Sequence, residues 1–434
     1  MKVSEAGSGY ASHVISACLA EMGNIVTHYS ERSHGQTENP AFHEPGLASM
    51  TESNGAARRL IQTNSLSEAV DASDIFFIAL GHATTTDQQA EALARDIGQI
   101  ARQDIILVNS SPTSLGFTER LHRTASTESG DIRICTVCHP VFLKEGDAID
   151  DFMRPDRIIL GSDDYEARSA MINLLKPFSR QHDRIAAMSV RDAELTRLAA
   201  SAMLATRISL MNEISAIAEQ FGADIENVRQ GIGADSRIGY SYLYPGVGYG
   251  GLCLTGDLSE LTQVAERTDV QPVLLNAVID RNQLQRDWAF DALKSTLGNL
   301  AGKRIAIWGL SFRPDTADVN GSPAIVLIRQ LMGAGATIAA YDPLAMDEAA
   351  QQLSSLPEAN TEALTFSSHQ YDALTDADAL VLMTEWKPFR QPDFNAIGKI
   401  LRNKVVIDGR NQYDAEALKQ AGFEYRGVGR GSRE

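Results

Sequence analysis

Basic residues, cysteines and long apolar runs are all scarce in this chain. Its 434 residues carry 39 Lys and Arg against 56 Asp and Glu, a formal charge of -17. With a pI near 5.0, nucleic acid or an anionic membrane is excluded as the main partner. A small anionic ligand is not excluded, because local arginines can still gather one. Four cysteines (Cys18, Cys135, Cys138 and Cys253) are too few for a disulfide framework, and a reducing cytoplasm is the expected compartment. No run reaches the ~18 uninterrupted apolar residues of a membrane span. A single Lys2 with no apolar block after it gives no sign of a signal peptide. What the chain does have is 44% apolar and 22% charged residues, a globular composition with ample material for a core. At roughly 100–200 residues per domain, it holds two to four domains.

The chain opens as strand, turn and helix. Met1 to Glu5 is strand-like, Gly7-Ser8-Gly9 is a turn, and His13 to Met22 has helical spacing with Gly23 as a C-cap. A second strand follows at Ile25–Tyr29. Further apolar runs at Ile75–Leu80, Ile105–Val108 and Ile158–Leu160 alternate with helical stretches such as Gln88–Ile100. That alternation predicts a parallel sheet with helices on both faces. From Val190 to Phe221 the apolar spacing is helical throughout, and Gly222 ends it. A helix of that length, about 45 Å, suits a spine between domains or a dimer surface. More helix is expected through Val273–Leu297. The strand–turn–helix pattern then restarts at Gly302, with strands at Arg304–Gly309, Thr337–Tyr341, Ala379–Met383 and Val405–Asp408.

Gly7-x-Gly9 between a strand and a helix is the start of a dinucleotide-binding turn, where backbone approaches a pyrophosphate at a helix N-terminus. The third glycine position holds Ser12. The ribose-binding acid at the end of the second strand is replaced by Ser30, with Arg32 two residues on. A hydroxyl beside an arginine can accept a 2′-phosphate, so NAD, NADP and no dinucleotide at all stay open on these residues. A more specific signal is Pro245-Gly246-Val247-Gly248-Tyr249-Gly250-Gly251-Leu252-Cys253, with Asp257 four residues later. A lone cysteine is often just a small buried apolar residue. Here the glycines lead it to a helix start, where a thiol pKa falls, and this favours a nucleophile. Cys135-x-x-Cys138 beside His139 has no second pair, so no metal site is expected. Trp288, Trp308 and Trp386 are expected in core or interface positions.

Over nearly its whole length the sequence resembles the UDP-glucose/GDP-mannose dehydrogenases. The landmarks are Gly7-x-Gly9-Tyr10, Glu44-Pro45-Gly46-Leu47, Pro140-Val141-Phe142-Leu143-Lys144-Glu145-Gly146, Arg154-Pro155-Asp156-Arg157-Ile158 and Asn212-Glu213. They continue with Asp235-x-Arg237-Ile238-Gly239, the Cys253 loop, Gly309-x-x-Phe312-Arg313, Tyr341-Asp342-Pro343, Thr384-Glu385-Trp386 and Asp408-Gly409-Arg410-Asn411. The resemblance implies an α/β fold of two Rossmann-like domains joined by a long central helix. Residues 1–188 would bind NAD(P), 189–298 would build a homodimer and 299–434 would bind the nucleotide sugar. It implies oxidation of the sugar C6 alcohol through an aldehyde, a thiohemiacetal and a thioester on Cys253.

The site residues that the resemblance implies are Cys253, Asp257, Arg197 and Ser201 for catalysis. Gly7, Gly9, Tyr10, Ser30, Arg32, Ser111 and Glu145 would serve the cofactor. Arg237, Tyr244, Tyr249, Gly250, Arg313 and Arg410 would serve the substrate. Several of these depart from the family pattern. Arg197 stands for a Lys and Ser201 for an Asn. Val141 stands for a Glu and Gly256 for a Lys. His82-Ala83 replaces a Thr-Pro, and Asn320 and Gly321 replace an Arg and a Glu. An arginine cannot act as a base in a protein. The alternative reading is therefore a non-oxidising homologue that binds a nucleotide or sugar nucleotide.

Overall fold

The computed structural model describes residues 1–7, 9–30, 44–81, 85–179, 184–355 and 363–430. It divides into two compact units, Met1–Ala199 and Ala200–Glu434. Within the first lies an eight-stranded sheet: β1 (Lys2–Ala6), β2 (Ile25–Tyr29), β3 (Leu60–Thr63), β4 (Ile75–Ile78), β5 (Ile105–Asn109), β6 (Ile134–Cys138), β7 (Ile158–Gly161) and β8 (Ile185–Met188). Their order is β3-β2-β1-β4-β5-β6-β7-β8. Chain direction away from β1 reverses between β1 and β4, the crevice where open α/β sheets take ligands. The β4 run Ile75-Phe76-Phe77-Ile78 is buried throughout, as a strand covered on both faces must be. One correction to the expected all-parallel sheet is the β6–β7 pair, which is antiparallel through Cys138 and Gly161.

The first helix (Tyr10–Glu21) buries Val14, Ile15, Cys18 and Leu19 against this sheet. Gly7 is glycine for a steric reason. A Cβ there would lie 2.3 Å from the Ala79 carbonyl oxygen and 2.8 Å from Ser12 Cβ. Glu44 fixes a second landmark by accepting Gly146 N–H at 2.7 Å and Ile149 N–H at 3.1 Å.

The second unit holds a six-stranded sheet, β9 (Arg304–Trp308), β10 (Thr337–Tyr341), β11 (Leu364–Phe366), β12 (Ala379–Leu382), β13 (Val405–Asp408) and β14 (Glu424–Gly427). Its order is β11-β10-β9-β12-β13-β14, parallel throughout. Trp308 and Trp386 are buried, with Trp308 stacked on Phe389. Asp342 Oδ2 gathers the N–H groups of Leu310 and Ser311 and the Trp386 indole. Ahead of this sheet run the end of the long helix (Val190–Phe221), the cysteine helix (Leu252–Arg267) and two helices, Val273–Arg286 and Trp288–Leu297. The helical stretch expected over Val273–Leu297 is thus broken at Asp287.

Candidate functional site

In the first unit the sequence motif becomes a cradle of bare backbone. Gly9 is the extended cap of the first helix, at φ -93° and ψ 172°, and no acidic residue stands in the first turn. The first-turn N–H groups and the helix dipole favour an anion there. The residues present fit a dinucleotide pyrophosphate: neither Gly7 nor Gly9 puts a side chain in its way. Ser12 is accommodated because its hydroxyl turns inward and donates to Glu5 Oε2 at 2.8 Å. The same oxygen accepts Ser16 Oγ at 3.0 Å and lies 2.6 Å from His28 Nδ1. Glu5, Ser12, Ser16 and His28 are all buried. Sequence reasoning missed this cluster. The signal for it was an acid inside the first strand, where an apolar residue belongs.

Around the turn, Tyr10 OH donates to Leu143 O at 3.3 Å. Ser111 Oγ donates to Ile78 O at 3.0 Å and accepts Leu80 N–H at 2.9 Å, knitting the ends of β4 and β5 together. Ser30 N–H reaches Thr63 O at 3.1 Å. Glu145 is half-buried in a turn. Arg32 and His82 lie outside the described residues. Arg197 donates to Thr113 O at 2.9 Å. Beside Ser110, His139 is buried, with its Nδ1 3.2 Å from the Ser110 hydroxyl. Burial lowers this imidazole to about 4, so it is neutral at physiological pH.

In the second unit, Cys253 is the second residue of the cysteine helix and is exposed. The other three thiols differ. Burial pushes Cys18 and Cys138 up to about 12 and Cys135 to about 11, so none of them is a thiolate near neutral pH. The loop before Cys253 is pressed onto its surroundings. A Cβ on Gly250 would meet Gly321 O at 2.5 Å, and one on Gly251 would sit 3.0 Å from the Phe312 ring. One turn below the thiol, Asp257 is buried and accepts Ser201 Oγ at 2.6 Å. Tyr249 is buried as well, and burial raises its phenol.

Other expected substrate residues are spread more widely. Arg410 donates through Nε to Met383 O at 2.7 Å and pairs with Glu385 at 3.2 Å. Its Nη1 lies 3.4 Å from where a Cβ on Gly246 would be, beside the start of the glycine loop. Arg313 Nε points back to Pro314 O at 3.4 Å. Arg237 stands in solvent and forks onto Asp235. Tyr244 is exposed, with the Arg229 guanidinium 4.4 Å over its ring. The structure therefore gathers Ser201, Tyr249, Gly250, Cys253, Asp257 and Arg410 around one loop, and leaves Arg237 at the surface. Among the described residues no group of three or more His, Cys, Asp or Glu is placed to hold a metal. No helix among them is long and apolar enough to cross a membrane.

A mainly parallel and a wholly parallel α/β sheet, a dinucleotide-type turn at one switch point and an exposed thiol opening a helix together describe a nucleotide-sugar dehydrogenase. The chain belongs to the UDP-glucose/GDP-mannose dehydrogenase family. Its NAD binding domain matches residues 1–179, its central domain 191–284 and its UDP binding domain 306–415. A UDP-glucose 6-dehydrogenase of Pseudomonas aeruginosa is 39% identical, over 99% of this chain and 98% of that protein. UDP-glucose 6-dehydrogenase TuaD of Bacillus subtilis is 34% identical, over 99% and 93%. Among solved structures, a UDP-glucose dehydrogenase from Pyrobaculum islandicum superposes with a TM-score of 0.86 at 29% identity, covering 99% of this chain and 98% of that one.

Proposed function

We propose that this chain oxidises the C6 alcohol of a UDP-sugar, UDP-glucose first among them, to the carboxylate with NAD. The observation that carries this reading is Cys253, exposed at the start of a helix behind a glycine-rich loop, in a chain whose relatives named above are UDP-glucose dehydrogenases. NAD, when bound, accepts a hydride at each of two oxidations. The first converts alcohol to aldehyde. The Cys253 thiolate then adds to the aldehyde carbon to give a thiohemiacetal, and loss of the second hydride leaves a thioester. Water hydrolyses that thioester, releasing the acid and restoring the thiol. Asp257, on the same helix face one turn away and backed by the Ser201 hydroxyl, is the candidate proton acceptor for these steps. Gly7 and Gly9 leave the helix N-terminus open to the cofactor pyrophosphate, and Tyr10, Ser30, Ser111 and Glu145 line the cofactor side. Tyr249, Gly250, Arg313 and Arg410 take the sugar nucleotide.

We further propose three functional segments (1–188, 189–298 and 299–434), a cytoplasmic location in keeping with a chain of only four cysteines, and a homodimer. The dimer rests on Met203, Leu210 and Ile217, exposed at seven-residue intervals along the long helix, with Phe221 beyond them. The decisive variant is Cys253→Ser. It should abolish acid formation while changing the Kd for UDP-glucose by no more than about twofold, since a hydroxyl is a near-isostere with far lower nucleophilicity at neutral pH. Full turnover in that variant would sink the thioester route.

A further inference from the structure

The stretch Gly246–Gly251 has few side chains with which to hold itself. Its backbone is held instead by polar side chains from two helices. Asn212 Oδ1 accepts Gly246 N–H at 2.9 Å, and Gln285 Nε2 donates to Gly246 O at 2.7 Å. Asn282 accepts Tyr249 N–H at 2.9 Å and donates back to Tyr249 O at 3.2 Å. All three amide side chains are buried. The approach is close at Gly248, where φ is +92° and a Cβ would lie 2.9 Å from Asn282 Oδ1.

Arg286 does something the amides do not. Its Nη2 donates to Tyr249 O and to Gly321 O, 3.1 Å each. Tyr249 O already has Asn282 as a donor, so the distinct contribution of Arg286 is to bind Gly321 to the loop. A parallel link runs from Gly251 N–H to Asn320 O at 2.9 Å. Asn320 in turn donates to Asp318 Oδ1 through both its nitrogens, 2.7 Å each. The cysteine helix therefore begins from a loop clamped between the Val273–Arg286 helix and the 318–321 turn. Half-burial pulls the Arg286 guanidinium below its ordinary value, yet an arginine stays charged in proteins. It sits at a helix C-terminus, where positive charge is favoured.

We propose that Arg286 is a positioning residue that fixes the Cys253 loop against the 318–321 turn, so that the thiol is set at the helix N-terminus before substrate arrives. What the thiol then does rests on the function proposed above. Without the guanidinium, the loop loses its bond to Gly321 O and the first turn of the cysteine helix frays. The N-terminal amides that favour a thiolate are then no longer aligned on it. A lysine at 286 keeps the charge and the stem but not the fork, and recovers part of the effect.

The test is alkylation of Cys253 by iodoacetamide in the ligand-free protein at neutral pH, read by peptide mapping. Arg286→Gln should slow the reaction by about tenfold and Arg286→Lys by about threefold, as expected for loss of thiolate character. In turnover, Arg286→Gln should lower kcat and leave KM for NAD unchanged. Wild-type alkylation in Arg286→Gln, or an equal loss in both variants, overturns the proposal. If Arg286→Gln does not fold, Arg286→Lys decides alone: a threefold loss supports it and a wild-type rate overturns it. UDP-glucose protection of Cys253 in the wild type tests the reading of function separately. Absence of protection would sink that reading and leave the alkylation comparison standing.

Discussion

His139 refuses a proton that its unfolded counterpart accepts. Burial takes it to about 4 in the folded chain, against ~6.5 for a free imidazole. Between these values the unfolded state binds more protons, so stability rises with pH in that window. The contribution is complete above about pH 6.5 and is lost progressively as pH falls towards 4, amounting to roughly 3 kcal/mol. Urea midpoints measured at pH 7 and pH 5 should therefore differ more in the wild type than in His139→Asn. Equal differences would remove His139 from the account. Neither the burial of His139 nor the buried cluster around Glu5 was legible in the sequence. Only folding buries His139 and brings Ser12, Ser16 and His28 to the Glu5 carboxylate. Cys253 was legible because glycines announce a close backbone approach whatever surrounds them.

Elements buried on both faces were the easiest to read, because their apolar runs are continuous. β4 and β12 are buried at every position. β3, β11 and β14 carry mixed patterns, exposed at two, one and two positions respectively. These are sheet-edge strands, short and half-solvated, and no apolar run marks them. The long helix was read with its bounds, Val190 to Phe221, because one helical period runs through it unbroken. What its period did not reveal is that it has two apolar faces. Ala205, Met211 and Ala218 are buried within the unit, whereas Met203, Leu210 and Ile217 are not. If the exposed stripe is a dimer face, Leu210→Asp should halve the mass seen by light scattering at micromolar concentration and leave the helix content by circular dichroism unchanged. A dimer that survives the charge would place the interface elsewhere.

For the molecule as a whole, the net charge of -17 repels polyanions yet leaves room for two small anionic ligands, one for each unit. Binding to the folded state alone stabilises by about 2.7 kcal/mol at 100 times the Kd. NAD and UDP-glucose should each raise the melting temperature, and UDP without sugar should act on the second unit as well. A shift with UDP-glucose but none with NAD would favour the non-oxidising alternative. Order along the chain made the architecture legible from sequence, since the landmarks occur in one sequence from Gly7 to Asn411. The cofactor choice was not, because Ser30 and Arg32 admit more than one ribose.

The distribution of sulfur has a consequence for damage and repair. Cys253 is the sole cysteine of the second unit; Cys18, Cys135 and Cys138 all lie in the first and are buried or half-buried. A sulfenic acid formed on Cys253 under oxidative stress has no resolving thiol within its own unit to close a disulfide. A small diffusible thiol would return it to the thiol, whereas a second oxidant would carry it to the irreversible sulfinic stage.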